Sequence, residues 1–141
     1  MELDEKSKLV LGVLRDNARM PIRDIAKKTG LRPSTVHQRL VQLQQEKVIW
    51  KFTVALDNAK VGEGFIVYML IKTKPRTYLD KVFSLPNVKE VSGVTGEYDL
   101  LMKMKFRDVQ DFNDFVLKFR KNEEVESTLT MVGTVNLKEE L

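Results

Sequence analysis

Residues 21–43 constrain the fold more than any other part of the sequence. Pro21 suits the first turn of a helix, Gly30 suits the left-handed position that ends one, and Pro33 suits the first turn of the next. Apolar residues recur at helical spacing on both sides of the glycine, namely Ile22, Ile25 and Ala26 before it, and Val36, Leu40 and Leu43 after it. The segment therefore predicts two short helices that share an apolar seam and are joined by a tight turn.

A further helix is predicted ahead of this pair. Asp4 can cap a helix that runs to about Asn17, and its inward stripe comprises Leu3, Ser7, Val10, Leu11 and Leu14. Three helices with a glycine turn before the last are typical of a helix-turn-helix, in which the later helix enters the DNA major groove. A plain helical hairpin with a polar outer face is the alternative.

The outward face of the third helix carries side chains that suit nucleic acid. Glutamine can pair with adenine, arginine with guanine, and serine or threonine with phosphate or the thymine methyl group. None of the outward residues is acidic, and they are Ser34, Thr35, His37, Gln38, Arg39 and Gln42. We therefore predict DNA as the partner of this face.

The charge distribution favours the same partner. Residues 1–51 hold 11 Lys or Arg and 6 Asp or Glu, a net charge of +5, whereas the remaining residues have a net charge of −1. A basic first third joined to a near-neutral remainder is typical of a polyanion-binding module attached to a second part. RNA is a less favoured partner, because the aromatic residues that would stack on bases do not cluster with the basic ones.

The sequence gives little support for an enzyme, a metal-binding protein, a membrane protein or a secreted protein. The chain has no Cys, one His, and no Ser-His-Asp or metal-spaced cluster, so we expect no enzyme, no catalytic residue, no metal site and no cofactor. The longest apolar run, residues 65–71, is far shorter than the roughly 20 residues of a membrane span. The acidic N-terminus lacks the layout of a signal peptide. We expect a cytoplasmic protein.

The segment that follows the third helix alternates in a strand-like pattern. Ile49, Lys51, Thr53 and Ala55 alternate with Trp50, Phe52, Val54 and Leu56. This β-rich segment could pair with a companion strand as a wing.

The remainder predicts the order βαββαβ, an antiparallel four-stranded sheet with both helices on one face. The predicted strands are residues 65–72, 88–94, 99–106 and 126–137, and the predicted helices are residues 77–84 and 108–121. The first strand is apolar on both faces, because Phe65, Val67, Met69 and Ile71 alternate with Ile66, Tyr68 and Leu70. The helices can cover one face, so we expect a second copy of the chain to cover the other.

The turn "TGEYD", residues 95–99, is a candidate ligand site. Gly96 permits close approach of a ligand, the Asp99 carboxylate could hold an ammonium group, and exposed turn amides could hold a carboxylate. Thr128 and Thr130 project from one face of the last strand and could add hydroxyl contacts. The alternative is that Gly96 and Asp99 only shape the hairpin, since both residue types are common in turns.

The chain resembles the Lrp/AsnC family of transcription regulators over nearly its full length. The resemblance rests on the first third (the Leu-Asp start, "IAKKTGL", and the Val-x-x-Arg-Leu of the third helix), on "VTGEYDLLMKM" and on "VESTLTMV". It implies an α+β protein with a winged helix-turn-helix and a ferredoxin-like βαββαβ effector domain. It also implies dimers that often assemble to octamers, and amino-acid ligands bound between effector domains, with Gly96, Tyr98, Asp99, Thr128 and Thr130 near the pocket.

Two positions depart from the family pattern. Arg32 replaces a usual Ser before Pro33, which exchanges a capping side chain for one that can contact a phosphate. Lys47 replaces a usual Gly, so the turn is strained if that position needs a positive φ.

These features predict three regions and one function. Residues 1–52 are the winged helix-turn-helix, 53–64 a linker or hinge strand, and 65–141 the effector-binding and oligomerisation domain. We expect a regulator that binds near-palindromic double-stranded DNA as a dimer or a higher oligomer. We expect a small molecule to modulate this binding, and an amino acid is the expected kind of molecule. The alternative is a stand-alone amino-acid-binding module without specific DNA binding.

Overall fold

The computed structural model describes residues 2–75 and 79–141, which form two compact units. The first unit extends to Ala55 and the second comprises Leu56–Glu140. Within the described ranges no helix is long and apolar enough to cross a membrane.

The first unit is a bundle of three helices: α1 (Glu5–Asp16), α2 (Ile22–Thr29) and α3 (Pro33–Gln45). Asp4 caps α1, as predicted, because its carboxylate accepts a hydrogen bond of 2.8 Å from the Ser7 amide. The predicted apolar stripes meet in one core, in which the buried residues are Val10, Leu14, Ile25, Ala26, Val36 and Leu43. Burial of these stripes stabilises helices that are each too short to persist alone in water.

The turn between α2 and α3 has the predicted form. Gly30 is left-handed, with φ of 73°, and its amide donates to the Ala26 carbonyl at 2.9 Å. The Thr29 hydroxyl donates to the Ile25 carbonyl at 2.7 Å and accepts from the Leu31 amide at 3.3 Å, which stabilises the exit from α2. Pro33 occupies the first turn of α3.

The end of α3 depends on a lysine with left-handed backbone. Lys47 has a φ of 55° and is the one described residue other than glycine with a positive φ. The amides of Val48 and Ile49 both donate to the Leu43 carbonyl, at 2.9 and 3.0 Å, which closes the turn. The position therefore needs the conformation for which glycine is usual.

The predicted wing strand does not form. Residues 50–57 carry neither helix nor strand, and Trp50, Phe52, Val54 and Leu56 are all exposed. A strand needs a hydrogen-bonded partner strand to be stable in water, and the described part of this chain supplies none for these residues. The predicted alternation is present, but alternation alone does not make a wing.

The second unit is a four-stranded antiparallel sheet with the order β2-β3-β1-β4. The elements in chain order are β1 (Phe65–Thr73), α4 (Asp80–Phe83), β2 (Val88–Gly93), β3 (Leu100–Phe106), α5 (Val109–Phe119) and β4 (Val125–Val132). This confirms the predicted α+β class and the βαββαβ order. Residues 77 and 78 of the predicted helix 77–84 lie outside the described residues, and the described residues of that segment form α4 from Asp80 to Phe83.

One face of the sheet carries the core. Its buried residues are Val67, Met69, Ile71, Met102, Met104 and Phe106, which pack against Phe119. Helix α5 adds Phe112 and Phe115, whose rings lie 5.4 and 5.5 Å from the Phe106 ring. Val109, at the start of α5, is 63% exposed and lies outside this core.

The opposite face of the sheet carries apolar residues beside Lys103 and Lys105, and it has no helix over it among the described residues. Directly paired residues share a face, so Tyr68 lies beside Met131 and Leu70 lies between Leu129 and Leu101. Leu129 and Met131 are 45% and 42% exposed. We call this surface, with Tyr68, Leu70, Leu101, Leu129 and Met131, the open face.

Strand β4 is shorter than the predicted 126–137. The Gly133 amide donates to the Ile66 carbonyl at 2.8 Å, next to the first residue of β1. Residues beyond Gly133 therefore run past the end of their partner strand and lose the ladder that would keep them extended. They form a tail, residues 133–141, instead of a strand.

Candidate nucleic-acid interface and ligand site

Helix α3 presents a polar face to solvent. Ser34, His37, Gln38 and Gln42 are exposed, and Thr35 is half-buried. At about 100° per residue, Ser34, His37 and Gln38 lie within roughly 100° of one another around the helix axis. The first turn of α3 contains no acidic residue. The start of this face can therefore donate to base edges and phosphates without a carboxylate in the same turn.

Arg39 lies away from that face. It is five positions after Ser34, which places it roughly 140° around the helix. Its guanidinium forms an ion pair of 2.9 Å with Asp4 and donates to the Gln42 side chain at 3.2 Å. Its Nε atom is buried without a hydrogen-bond partner among the described residues. The structure thus brings Arg39 to α1, not to the exposed polar face.

Gln42 is also engaged along the helix. It accepts from Arg39, and its amide nitrogen donates to Glu46 at 3.2 Å. A chain of polar contacts therefore runs from Asp4 through Arg39 and Gln42 to Glu46. Sequence reasoning did not reveal this chain, because Asp4 and Arg39 are 35 positions apart.

The two hydrogen bonds from Ser7, and next the charge of Arg39, lower the pKa of Asp4 below its usual range. The same carboxylate thus caps α1 through one oxygen and holds Arg39 through the other.

Exposed basic residues precede and follow α3 in the chain. Arg32 precedes Pro33 with extended backbone, makes no side-chain cap and is exposed. Its guanidinium is therefore available for a phosphate, as the replacement of a capping residue suggested. Lys27, Lys28, Lys47 and Lys51 are exposed as well.

The turn before β3 is built around Asp99. Its carboxylate accepts from the Thr73 amide at 2.8 Å and from the Thr73 hydroxyl at 3.1 Å. Its own amide donates to the Ile71 carbonyl at 2.9 Å, and its carbonyl accepts from the Val94 amide at 2.8 Å. Asp99 therefore joins the turn to the end of β1, which is the structural role that the alternative interpretation expected. Both bonds from Thr73 reach one carboxylate oxygen, and the other oxygen has no hydrogen-bond partner among the described residues.

The remaining candidates for the ligand site differ in position. Gly96 has a φ of 117°, and a Cβ placed there would meet no atom within 4 Å, so the turn is open to solvent on that side. Tyr98 is half-buried. Thr128 and Thr130 pair with Ile71 and Met69, so they share the helix-covered face but lie exposed on the edge strand. Because β1 separates β4 from β3, they are roughly 10 Å from the β3 end of the turn.

The second unit also contains a cavity of about 400 Å³ that the sequence pattern did not indicate. It lies between the tail, the start of β1 and the middle of β3, and an ion pair of 2.6 Å joins Lys103 to Glu139 at its wall. The hydrogen bond between them raises the pKa of Lys103 and lowers the pKa of Glu139. No group of three or more potential metal ligands occurs in residues 2–75 or 79–141.

The first unit is a basic helix-turn-helix, a motif that binds DNA in many proteins, and it is followed by a separate βαββαβ unit. Residues 3–44 match the AsnC-type helix-turn-helix domain, and residues 66–140 match the Lrp/AsnC ligand binding domain. The chain therefore belongs to the Lrp/AsnC family of transcriptional regulators.

Comparisons with individual regulators are consistent with membership of this family. The chain is 33% identical over 133 residues to the HTH-type transcriptional regulator FL11 of Pyrococcus furiosus, which covers 92% of this chain and 88% of that regulator. Its fold is similar to E. coli AsnC, with a TM-score of 0.89, 24% identity, and coverage of 100% and 98% of the two chains. It is also similar to a Neisseria meningitidis regulator solved in complex with L-Met, with a TM-score of 0.91, 23% identity, and coverage of 99% and 94%.

These findings decide between the functional classes. The prediction of a DNA-binding regulator is confirmed, and the alternative of a stand-alone amino-acid-binding module is not supported. The relatives are transcriptional regulators, a class that is not enzymatic, as predicted.

Proposed function

We propose that the chain binds near-palindromic double-stranded DNA as a dimer, through the exposed face of α3, and that an amino acid bound near the turn at residues 95–99 changes this binding. The observation that carries the proposal is the exposed, acid-free polar face of α3 beside the left-handed Gly30 turn. In a helix-turn-helix, the start of the second helix of the motif contacts base edges.

The residues in this face divide into two proposed roles. Ser34, His37 and Gln38 contact bases, and Arg32 contacts a phosphate at the start of α3. Thr35 and Gln42 lie at the margin of the face, where Thr35 is half-buried and Gln42 is engaged with Arg39 and Glu46. Arg39 holds α3 against the start of α1, because its guanidinium forms an ion pair with Asp4.

The open face of the sheet supports the proposed dimer. It presents contiguous apolar residues on three neighbouring strands, and contiguous apolar patches of this kind mark interfaces. A second copy of the chain is the natural cover, because homodimers with two-fold symmetry are the commonest oligomers. Two copies of α3 related by such an axis would contact two half-sites separated by one helical turn or a multiple.

The turn at residues 95–99 supports an amino-acid ligand. The exposed carboxylate oxygen of Asp99 can accept from an α-ammonium group, and the open side of Gly96 leaves room for the ligand. The L-Met complex of the N. meningitidis regulator supports an amino acid as the ligand class. Thr128 and Thr130 are too far from Asp99 to hold the same small group, so we propose that they contact the side chain of the ligand or a neighbouring copy.

The test is selection from a library of random duplexes by the full chain, followed by sequencing. The selection is run at two salt concentrations, with and without a pool of amino acids, and the mass of the complex is measured by sedimentation. We expect an enriched near-palindrome, binding that weakens steeply with salt, and a change of affinity with the pool. Salt-sensitive binding without an enriched sequence would contradict the proposal of specific recognition, and an unpaired half-site would contradict the dimer.

A further inference from the structure

The two edge strands of the sheet differ in character. The register of β2 shifts between Val88 and Glu90. Lys89, in the same strand, forms an ion pair of 2.8 Å with Glu63. By contrast, β4 pairs with β1 in an unbroken register over residues 127–132, which we call the regular stretch, and this stretch carries no charged residue. Bulges and charges protect sheet edges from pairing with another chain, so β2 is protected and β4 is not.

The backbone groups on the outer side of β4 form a regular row. The Gly133 amide donates to the Ile66 carbonyl at 2.8 Å, so alternate residues from Gly133 back along β4 bond to β1. The residues between them, namely Thr128, Thr130 and Val132, direct their N–H and C=O groups away from β1. Because β4 is the last strand in the sheet order, no strand of the described part of the chain pairs with this row. Such a row is a template for a further strand.

The segments that flank β4 leave its outer side open. Beyond Gly133 the tail crosses the open face towards β3, where Glu139 forms its ion pair of 2.6 Å with Lys103. Since β1 separates β4 from β3, this path leads away from the edge. Helices α4 and α5 contact β2 and β3. Residues 126–132 are all exposed, so the row is accessible to a strand from outside.

We propose that this edge binds β4 of a second copy of the chain, antiparallel and about a two-fold axis at Thr130. In this register Thr128 lies opposite Val132 of the second copy, and Thr130 lies opposite its own counterpart. All three outward residues then form hydrogen-bonded pairs, and because each pair exchanges two bonds, the contact has about six. An axis at Leu129 or Met131 would leave one outward residue of each copy unpaired within the regular stretch and would form about four.

The side chains fit the same register. On the open face, Leu129 lies opposite Met131 of the second copy, which joins the two apolar surfaces across the axis. On the other face, Thr130 lies opposite Thr130, and Thr128 lies opposite Val132. Pairs of threonine and other β-branched residues stabilise antiparallel strands, whereas like charges directly opposite destabilise them. The regular stretch brings no like charges together, since it carries no charge.

The contact closes after two copies. Each chain has one unprotected edge, and a two-fold contact uses that edge in both chains, so the four-stranded sheet doubles and does not extend further. The inference does not depend on the proposed dimer through the open face, because the edge contact is made by backbone groups and the open face contributes side chains.

The first test uses disulfide formation between full-length chains. The chain has no cysteine, so a single introduced cysteine reports one contact. Thr130→Cys places one thiol of each chain at the axis, where paired Cα atoms lie about 5.5 Å apart, a distance that a disulfide spans. Thr128→Cys is the matched control, because Thr128 is exposed on the same face of the same strand. In the proposed register its two copies are roughly 14 Å apart along the strands, beyond the reach of a disulfide. Mild oxidation is followed over time by non-reducing electrophoresis.

The second test measures self-association by sedimentation equilibrium. Thr130→Lys places two ammonium groups opposite each other at the axis, and Thr130→Val, which keeps a β-branched side chain without charge, is its control. Thr130 is exposed, so both variants keep the core of the second unit, and thermal unfolding verifies this.

We expect Thr130→Cys to form the disulfide-linked dimer roughly tenfold faster than Thr128→Cys. We expect Thr130→Lys to raise the concentration at which the largest assembly forms by roughly tenfold, and Thr130→Val to leave it nearly unchanged. Three results would overturn the proposal: equal rates for the two cysteine variants, no disulfide-linked dimer from Thr130→Cys, or unchanged association in Thr130→Lys. Wild-type dimers that Thr130→Lys leaves intact would contradict the edge contact while they support the dimer through the open face.

Discussion

Asp4, which precedes the first helix, forms an ion pair of 2.9 Å with Arg39 in the middle of the third. Because the other oxygen of the same carboxylate accepts from the Ser7 amide, one side chain both starts α1 and holds α3 against it. Helix α3 is thus positioned by the residue that caps α1. An arginine that would ordinarily be assigned to base contacts is used for this purpose.

We expect Arg39→Ala to lower the denaturation temperature by roughly 2–4 °C. We also expect it to weaken DNA binding by about the same factor for every DNA sequence. The reason is that α3 loses its contact with Asp4, not a contact with a particular base. Thermal unfolding and binding to the selected site and its single-base variants measure both effects. A loss of preference at one base position, with unchanged unfolding, would show instead that Arg39 contacts a base.

The lowered pKa of Asp4 predicts an acid dependence of stability. A carboxyl group whose pKa is lower in the folded than in the unfolded state contributes stability above its unfolded pKa, and this is lost as pH falls through the folded pKa. The stability difference between wild type and Asp4→Asn, which keeps a capping oxygen, should thus be constant above about pH 5 and shrink below about pH 4. Thermal unfolding from pH 7 to pH 3 tests this. A difference that does not change with pH would contradict it.

Gln38→Ala should weaken binding to the selected DNA site by about 1–3 kcal/mol and relax the preference at one base position. Gln110→Ala is the matched control, because Gln110 is also an exposed glutamine on a helix but belongs to α5 in the second unit. Fluorescence anisotropy with the selected duplex measures both. Equal effects of the two substitutions would remove Gln38 from the recognition face.

Asp99→Ala should abolish the response of DNA binding to the amino acid at the turn and lower the free energy of unfolding by about 1 kcal/mol, because Thr73 loses its acceptor. Thr73→Val removes only the hydroxyl donor and should keep the response. Comparison of DNA affinity with and without the amino acid, together with denaturant unfolding, separates the two roles. A normal response in Asp99→Ala would restrict Asp99 to the turn.

Lys47→Gly should raise the free energy of unfolding by about 0.5–1 kcal/mol, because glycine adopts the left-handed backbone of this position without strain. Glu46→Gly, at a position with φ of −81°, should lower it. Denaturant unfolding of both variants measures the contrast. Destabilisation by Lys47→Gly would mean that the lysine side chain makes a contribution that outweighs the strain.

The parts of the fold that were predictable from sequence depend on local chemistry. The Asp4 cap, the Gly30 turn and the Asp108 cap, which accepts from Asp111 at 2.9 Å, each involve residues within four positions of one another. The apolar periodicities likewise identified the cores of both units. The ends of the strands were less well bounded, because they depend on where a partner strand ends.

The parts that were not predictable depend on contacts between distant residues or on a second chain. Nothing in the pattern around Arg39 indicates that Asp4 lies beside it, and nothing near Lys103 indicates Glu139, which is 36 positions away. Residues 50–57 alternate as a strand does, yet their state depends on whether a partner strand is present. Alternation reports which side chains could share a face, and only pairing makes a strand.

The open face of the sheet has a consequence for regulation. If a second copy covers Leu129 and Met131, a cell with little of this protein holds mostly single chains, each able to reach only half of a palindrome. Occupancy of the DNA site would then rise with about the square of protein concentration in the dilute range. The gene controlled by such a site would respond to the amount of the regulator more sharply than any one contact on α3 could achieve.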